Sequence, residues 1–171
     1  MGMVIVYTGD GKGKTTAALG LAIRGAGYNK KILIVQFGKN TFSGELKSLK
    51  KLKIKIIQGG KGFVGILGDK FLPAEHKRTA QETFKKLYKE TVSGKWDIVI
   101  ADEILGALKC KFLLLPQVLD LIKNKPGELD IVLTGRGAPK AVIAKADLVT
   151  EMKSIKHPYE KNIPAKKGID F

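Results

Sequence analysis

The stretch at residues 8–16 reads Thr8-Gly9-Asp10-Gly11-Lys12-Gly13-Lys14-Thr15-Thr16. It directly follows an apolar run at residues 4–7, so the order is strand, glycine-rich turn, helix, which is typical of a phosphate-binding loop. Glycines allow backbone N–H groups to close around phosphate oxygens, and the helix that follows points its positive end at the same anion. In this pattern Lys14 reaches the β- and γ-phosphates and the Thr15 hydroxyl binds Mg²⁺. The stretch therefore predicts a protein that uses a nucleoside triphosphate.

Two residues depart from the simplest form of this pattern. Thr8 stands at the first position, where the general pattern has glycine, and Asp10 brings a carboxylate next to the predicted phosphates. We expect Asp10 to face away from the anion. A chance match is the alternative interpretation, but the strand before the stretch and the helix after it favour function. All nine residues at 8–16 are therefore candidate ATP contacts.

Length and composition indicate one globular domain that spans residues 1–171. The chain is long enough to bury a core, and no apolar run approaches the length that spans a membrane. The N-terminus opens straight into the first predicted strand, so we expect no signal peptide. The lone Cys110 excludes an internal disulfide, and the separated His76 and His157 form no metal-ligand pair. We expect a cytoplasmic protein.

The formal net charge of +15 favours anionic partners such as a triphosphate, an acidic protein or a nucleic acid. A solvated lysine surface that only improves solubility is the simpler interpretation. The lysines are spread along the chain, without the arginine and aromatic clusters that are typical of nucleic-acid readers. We therefore expect no nucleic-acid partner.

Apolar runs that predict strands alternate along the chain with stretches that predict helices. The strands are expected at residues 4–7, 32–35, 54–57, 96–101, 131–134 and 148–152, and the helices at 16–26, 45–52, 73–94, about 115–125 and after Pro139. Residues 36–43 are expected to form a loop. This alternation predicts an α/β fold with a mainly parallel sheet and helices on both faces. Together with the glycine-rich turn, it favours the RecA-like phosphate-loop NTPase class.

Three of the predicted strands are followed by residues that suit phosphate and metal chemistry. Ligands of parallel sheets bind beyond the carboxyl ends of the strands, so we expect these residues to converge. Asp102 and Glu103 are candidates to bind the Mg²⁺ that Thr15 holds. Arg136, between two glycines, is suited to a bidentate phosphate contact. Arg24 is a weaker candidate ATP contact, since a solvated helix face explains it nearly as well.

These residues define an α/β protein that uses Mg²⁺ and ATP, and they do not choose among hydrolase, kinase, transferase and motor. One alternative is a RecA-like ATPase that binds nucleic acid through its charge. A second alternative is a small-molecule kinase. Both would release ADP, whereas other uses of ATP release different products.

Beyond these motifs, the chain resembles the P-loop ATP:corrinoid adenosyltransferases, whose acceptors are cob(I)alamin or cob(I)yrinic acid a,c-diamide. The similarity runs through nearly the whole chain. It rests on residues 8–16, Gln36-Phe37, Asp102-Glu103, and the stretches 133–139 (LTGRGAP), 146–151 (ADLVTE), 156–159 (KHPY) and 167–171 (KGIDF). A phosphate loop by itself is unspecific, but this ordered set of motifs is highly specific.

The resemblance implies that a cob(I) corrinoid attacks the 5′-carbon of ATP and that triphosphate leaves intact, a step of coenzyme B12 biosynthesis or salvage. It also implies a nucleotide held in the reverse of the usual phosphate-loop orientation. Such a reaction needs cations directed at the charge that grows on the triphosphate. Lys12, Lys14 and Arg136 are the implied catalytic residues, with Mg²⁺ on Thr15 and Glu103.

The resemblance further implies an aromatic residue that helps to displace the lower axial ligand of the corrinoid, and Phe63 matches that position. Some members have a tryptophan where this chain has Gly65, so Phe71 is a possible substitute. Some also have an N-terminal helix before the first strand that helps to cover the site. This sequence shows no such helix, so we expect a corrinoid pocket that is more open or is completed by another subunit. A flavodoxin-like reduced flavoprotein and a homodimer are the implied partners.

Overall fold

The computed structural model describes residues 1–62 and 69–170, and its strands form a six-stranded, wholly parallel sheet. In chain order the strands are β1 (Val4–Thr8), β2 (Ile32–Phe37), β3 (Lys55–Gly59), β4 (Ile98–Asp102), β5 (Asp130–Thr134) and β6 (Leu148–Glu151). Their spatial order is β3-β2-β4-β5-β1-β6. The predicted α/β class with a parallel sheet is confirmed.

Helices cover both faces of this sheet. They are α1 (Lys14–Gly27), α2 (Gly44–Lys51), α3 (Pro73–Thr91), α4 (Ile104–Lys109), α5 (Leu115–Asn124) and α6 (Lys140–Ile143), followed by a 3₁₀ turn at Pro158–Lys161. None of the helices in the described residues is long and apolar enough to cross a membrane.

Successive strand residues point to opposite faces, and this alternation divides the core into two layers. On one face, Ile5, Ile34 and Ile100 pack with Ala18 and Ala22 of α1. On the other face, a larger cluster joins the remaining strand positions to α3, α4, α5 and α6. Both faces of β2, β4 and β5 are therefore buried, which explains why their sequences are continuous apolar runs.

The structure differs from the sequence prediction at two places near the site. Gln36 and Phe37 extend β2 instead of starting a loop, because they pair with Gln58 and Gly59 of β3 and are almost completely buried. Helix α4 was not predicted, since it is only six residues long and follows directly on β4. Both differences lie at the carboxyl edge of the sheet, where the candidate site is found.

Candidate active site at the carboxyl edge of the sheet

The loop between β1 and α1 (residues 9–13, the glycine-rich loop) requires glycine for two separate reasons. Gly9 and Gly13 have φ angles of 99° and 116°, a region that disfavours residues with a side chain. A Cβ atom on Gly11 would lie 2.6 Å from the carbonyl oxygen of Lys153. Gly11 also donates its N–H to Met152 O at 2.7 Å. The loop is thus held against the chain that follows β6.

Lys14, the first residue of α1, lies under this loop and is only 8% exposed. Its Nζ atom donates to Gly9 O at 2.7 Å and to Gly11 O at 2.6 Å. Burial lowers the pKa of the ammonium group, and the nearby Glu103 carboxylate opposes that shift. The ammonium is therefore already placed at the loop, on carbonyl oxygens that a phosphate oxygen can replace.

Asp102, at the end of β4, connects α1 to the sheet and is 2% exposed. Its Oδ1 atom accepts hydrogen bonds from the hydroxyls of Thr15 and Thr134, each at 2.8 Å, and its Oδ2 accepts one from Gln36 Nε2 at 3.1 Å. Asp102 is therefore fixed by three donors from three different elements. The predicted convergence of Thr15 and Asp102 is seen directly in this contact.

Glu103 forms the junction between β4 and α4 in a left-handed conformation, with a φ angle of 62°. Its N–H donates to Thr134 Oγ1 at 2.9 Å, which holds this unfavourable backbone in place. A Cβ atom on Gly106 would lie 2.6 Å from Glu103 Oε1, so the small residue in α4 makes room for the carboxylate. Burial, and secondly the charge of Asp102, raise the pKa of Glu103.

Thr8 replaces the usual first glycine of the loop, and its side chain has a clear structural use. Its Oγ1 atom accepts a hydrogen bond from Ala138 N at 3.1 Å. Ala138 ends the turn that carries Arg136 between Gly135 and Gly137, whose φ angles are 137° and 71°. The hydroxyl therefore ties the arginine-bearing turn to the glycine-rich loop.

These elements surround a cleft of about 830 Å³, here called the main cleft. Among the predicted residues, those that line it are Lys12, Gly13, Lys14, Thr15, Thr16, Asp102, Glu103 and Arg136. Thr8, Gly9, Asp10 and Gly11 are not among its lining residues, and Asp10 is exposed. Arg24 lies in the last turn of α1, ten residues from Lys14, so it is about 15 Å along the helix from the loop. The structure does not bring Arg24 to the cleft.

A second, smaller cavity of about 140 Å³ adjoins the main cleft and shares Phe37, Glu103, Gly106 and Cys110 with it. Its other walls include the backbone of Gly59 and Gly60, together with His76, Ala80, Ala107 and Phe112. The ring of His76 stacks on Phe112 with centroids 6.0 Å apart, and Phe71 meets His76 edge-on at 6.1 Å. Phe63, the predicted corrinoid contact, lies outside the described residues.

Sequence reasoning missed several residues that line the main cleft. Lys39 and Glu45 form an ion pair at 3.4 Å on one side of it, and Lys109 of α4 lies on another. Asp170 contacts Lys12 across 158 positions of sequence, through an ion pair that no local pattern could reveal. Lys39 and Lys109 could have been suspected as residues of the cleft, because Lys39 follows β2 and Lys109 lies in the stretch after Asp102-Glu103.

The parallel sheet, the glycine-rich loop between β1 and α1, and the acidic pair after β4 are consistent with the phosphate-loop class of α/β proteins. Comparison with known families identifies one family within this class. All 171 residues match the family described as "ATP:corrinoid adenosyltransferase BtuR/CobO/CobP". The chain therefore belongs to the ATP:corrinoid adenosyltransferase family, which confirms the resemblance.

Similar proteins from three bacteria support this assignment. The corrinoid adenosyltransferase of Escherichia coli strain K12 is 30% identical over 171 residues, which cover 99% of this chain and 86% of the relative. That of Pseudomonas aeruginosa is 34% identical over 173 residues, with 99% and 84% covered. That of a Sinorhizobium species is 35% identical over 175 residues, with 99% and 80% covered.

Proposed function

We propose that this chain transfers the 5′-deoxyadenosyl group of ATP to the cobalt of a reduced corrinoid and releases triphosphate. Membership of the family supports both substrates. The observation that carries the proposal is the pair of adjoining cavities, which share Glu103. The main cleft is lined by basic residues (Lys12, Lys14, Lys39, Lys109 and Arg136) together with acidic ones, and the smaller cavity is mainly apolar. Such a pair suits a charged donor in the main cleft beside an apolar part of the acceptor, since the smaller cavity is too small to enclose a whole corrinoid.

In this reaction the electron pair of cob(I) forms the bond to the 5′-carbon, and the bond from that carbon to oxygen breaks. The triphosphate leaves with the electrons of the broken bond. Because cob(I) is itself the nucleophile, no general base is required. What the protein must supply is positive charge where negative charge grows, and we assign this role to Lys14, Lys12 and Arg136, which line the main cleft.

The donor set at the end of β4 fits Mg²⁺, a hard cation that binds oxygen and usually retains one or two carboxylates plus substrate phosphates as ligands. We propose that Thr15 and Glu103 bind the ion and that Asp102 holds Thr15 from behind. Within residues 1–62 and 69–170, no three His, Cys, Asp or Glu side chains form a metal-binding group. The phosphates would therefore complete the coordination, and the ion would supply further positive charge to the leaving group.

We also propose, on the family resemblance, that a flavodoxin-like reduced flavoprotein supplies electrons and that the chain acts as a cytoplasmic homodimer. The net charge of +15 suits an acidic partner, since complementary charge speeds encounter. Phe71 does not line the smaller cavity but meets His76, one of its lining residues, edge-on, which supports an aromatic contact with the corrinoid near it.

Product analysis tests the proposed function. With ATP, Mg²⁺ and chemically reduced cobalamin under anaerobic conditions, we expect triphosphate and a light-sensitive organocobalt product, and we expect neither without the corrinoid. Release of ADP would contradict the proposal and favour an ATPase or a kinase. Stimulation of ATP turnover by nucleic acid, together with binding that weakens steeply with salt, would favour the RecA-like alternative.

Phe63→Ala is expected to impair reduction of the corrinoid more than adenosyl transfer. With cob(II)alamin and a reductant, we expect the rate to fall about tenfold, equivalent to about 1.4 kcal/mol. With cobalamin that has already been reduced to cob(I), and in ATP binding, we expect wild-type values within about twofold. Tyr28→Ala, which removes an exposed aromatic ring at the end of α1, is the matched control. Equal loss in both assays would contradict the proposed role of Phe63.

A further inference from the structure

Polar side chains from four adjacent strands lie at one level across the carboxyl edge of the sheet. Gln36 of β2 pairs in register with Gln58 of β3 on one side and with Asp102 of β4 on the other. Thr134 of β5 then contacts Asp102. This row of side chains is here called the polar ladder, and its member Asp102 lines the main cleft.

The hydrogen bonds of the polar ladder have a defined direction. Gln58 Nε2 donates to Gln36 Oε1 at 3.0 Å, and Gln36 Nε2 donates to Asp102 Oδ2 at 3.1 Å. An amide has an oxygen that accepts and an NH₂ group that donates. Because Gln58 occupies the amide oxygen of Gln36, the NH₂ group of Gln36 must face the carboxylate.

This direction has a consequence at Thr15. A hydroxyl has one proton to donate and two lone pairs that accept. Thr15 donates its proton to Asp102 Oδ1, so its lone pairs remain available to a cation in the main cleft. The orientation of Asp102 therefore determines which part of the Thr15 oxygen is free, and Gln36 holds the other oxygen of the same carboxylate.

We propose that Gln36, oriented by Gln58, is a positioning residue for the metal–triphosphate site. This inference rests on the proposed function, since it requires that Thr15 and its neighbours bind a metal nucleotide. Gln36 does not line the main cleft and acts only through Asp102. Removal of its amide leaves Asp102 Oδ2 without its donor, so the carboxylate is held at Oδ1 alone and the direction in which Thr15 gives its proton is less well fixed.

Burial separates this role from simple packing. Gln36 is 1% exposed at the end of a strand whose other residues are apolar. A buried amide costs free energy unless it is hydrogen-bonded, whereas leucine has a similar size and would fill the same space. Leucine would however leave the buried Asp102 Oδ2 without its donor, so the amide at this position serves Asp102 and not the packing of the strand.

The test measures binding of Mn²⁺, as a paramagnetic substitute for Mg²⁺, to the ATP-saturated protein by electron paramagnetic resonance. We expect Gln36→Leu to weaken Mn²⁺ binding about 10-fold or more, which is typical when a partner of a metal ligand is lost. We expect Gln58→Leu to weaken it about 3-fold, because it disturbs Asp102 through one further residue. Binding of ATP in EDTA should stay within about twofold for both variants.

The matched control is Gln117→Leu, which breaks an amide pair with Gln81 (Nε2 to Oε1, 2.9 Å) away from the main cleft. It should leave Mn²⁺ binding unchanged. Wild-type Mn²⁺ binding in Gln36→Leu, or an equal loss of ATP binding in EDTA, would overturn the inference. If Gln36→Leu does not fold, Gln58→Leu replaces it in the test. Weaker Mn²⁺ binding with unchanged ATP binding in EDTA then supports the inference, and wild-type Mn²⁺ binding overturns it. If the wild-type protein binds no Mn²⁺ with ATP, the proposed function itself fails, and this inference with it.

Discussion

Lys14→Met is expected to reduce ATP-dependent adenosyl transfer by about 10²–10³-fold, the loss seen when a preorganised partner of a developing anion is removed. The lysine ammonium is held at the glycine-rich loop by Gly9 O and Gly11 O, and burial already lowers its pKa. The free-energy cost of desolvating the ammonium group is therefore already part of the free energy of folding, and substrate binding does not add it. Methionine retains the apolar stem and the packing of α1 but has no charge.

The measurement is the steady-state rate with saturating ATP and cob(I)alamin, together with circular dichroism to confirm the fold. Lys125→Met is the matched control, because Lys125 Nζ also donates to backbone carbonyls, those of Gly2 at 2.8 Å and Leu129 at 2.9 Å, outside the main cleft. That variant should lose stability while its folded fraction retains the wild-type rate. Near-normal turnover in Lys14→Met would rule out the assigned role of the loop.

Glu103→Gln is expected to reduce Mg²⁺-dependent turnover about 100-fold or more and, at the same time, to stabilise the metal-free fold. The loss of turnover follows from removal of a proposed carboxylate ligand, which an amide replaces poorly at a hard cation. The gain in stability follows from the raised pKa of Glu103, which burial and Asp102 cause. An acid whose folded-state pKa is raised destabilises the fold whenever it is charged.

The pH dependence gives this second effect a distinct signature. Wild-type stability should fall as pH rises from 4.5, the ordinary pKa of a glutamate, through the raised folded-state pKa, because the unfolded chain loses its proton first. The advantage of Glu103→Gln should therefore be complete above the folded-state pKa and vanish in acid. Thermal unfolding of metal-free protein across this range measures it.

Glu90→Gln is the matched control, because the pKa of Glu90 is shifted in the opposite direction. Its carboxylate accepts a hydrogen bond from the Trp96 indole at 2.8 Å, which lowers its pKa. That variant should be less stable than wild type above pH 4.5, and the difference should disappear as pH falls through the lowered pKa. A Glu103→Gln protein that is less stable than wild type at neutral pH would contradict the electrostatic account.

The sequence predicts the fold best where a short run of residues determines the local structure by itself. Buried parallel strands are continuous apolar runs, so β1, β2, β4 and β5 were recognisable within a few residues. Residues that directly follow such strands must meet at one edge of the sheet, which is why Thr15, Asp102 and Arg136 could be grouped in advance. The family was recognisable because its motifs occur in a fixed order through the whole chain.

The remaining features depend on contacts between distant residues. Gln36 is polar and lies next to a predicted loop, and only its pairing with β3 and β4 shows that it belongs to the strand. Helix α4 is too short to show a helical repeat. The contact between Lys12 and Asp170 joins the two ends of the chain, and no periodicity encodes it. Arg24 lies in the last turn of α1 and does not line the main cleft, and its role as an ATP contact stays a prediction.

The hydrogen bond from Ala138 N to the Thr8 hydroxyl has an entropic consequence for catalysis. It links the arginine-bearing turn to the residue that precedes the loop holding Lys14, and so restricts the movement of one relative to the other. Charges that are in place before bond breaking require no reorganisation during it, and this is where electrostatic catalysis gains most. Glycine at this position, the commoner residue, would remove this link and leave the turn joined to β1 through the strand pairing and the Gly135 N–H, which donates to Tyr7 O at 3.2 Å.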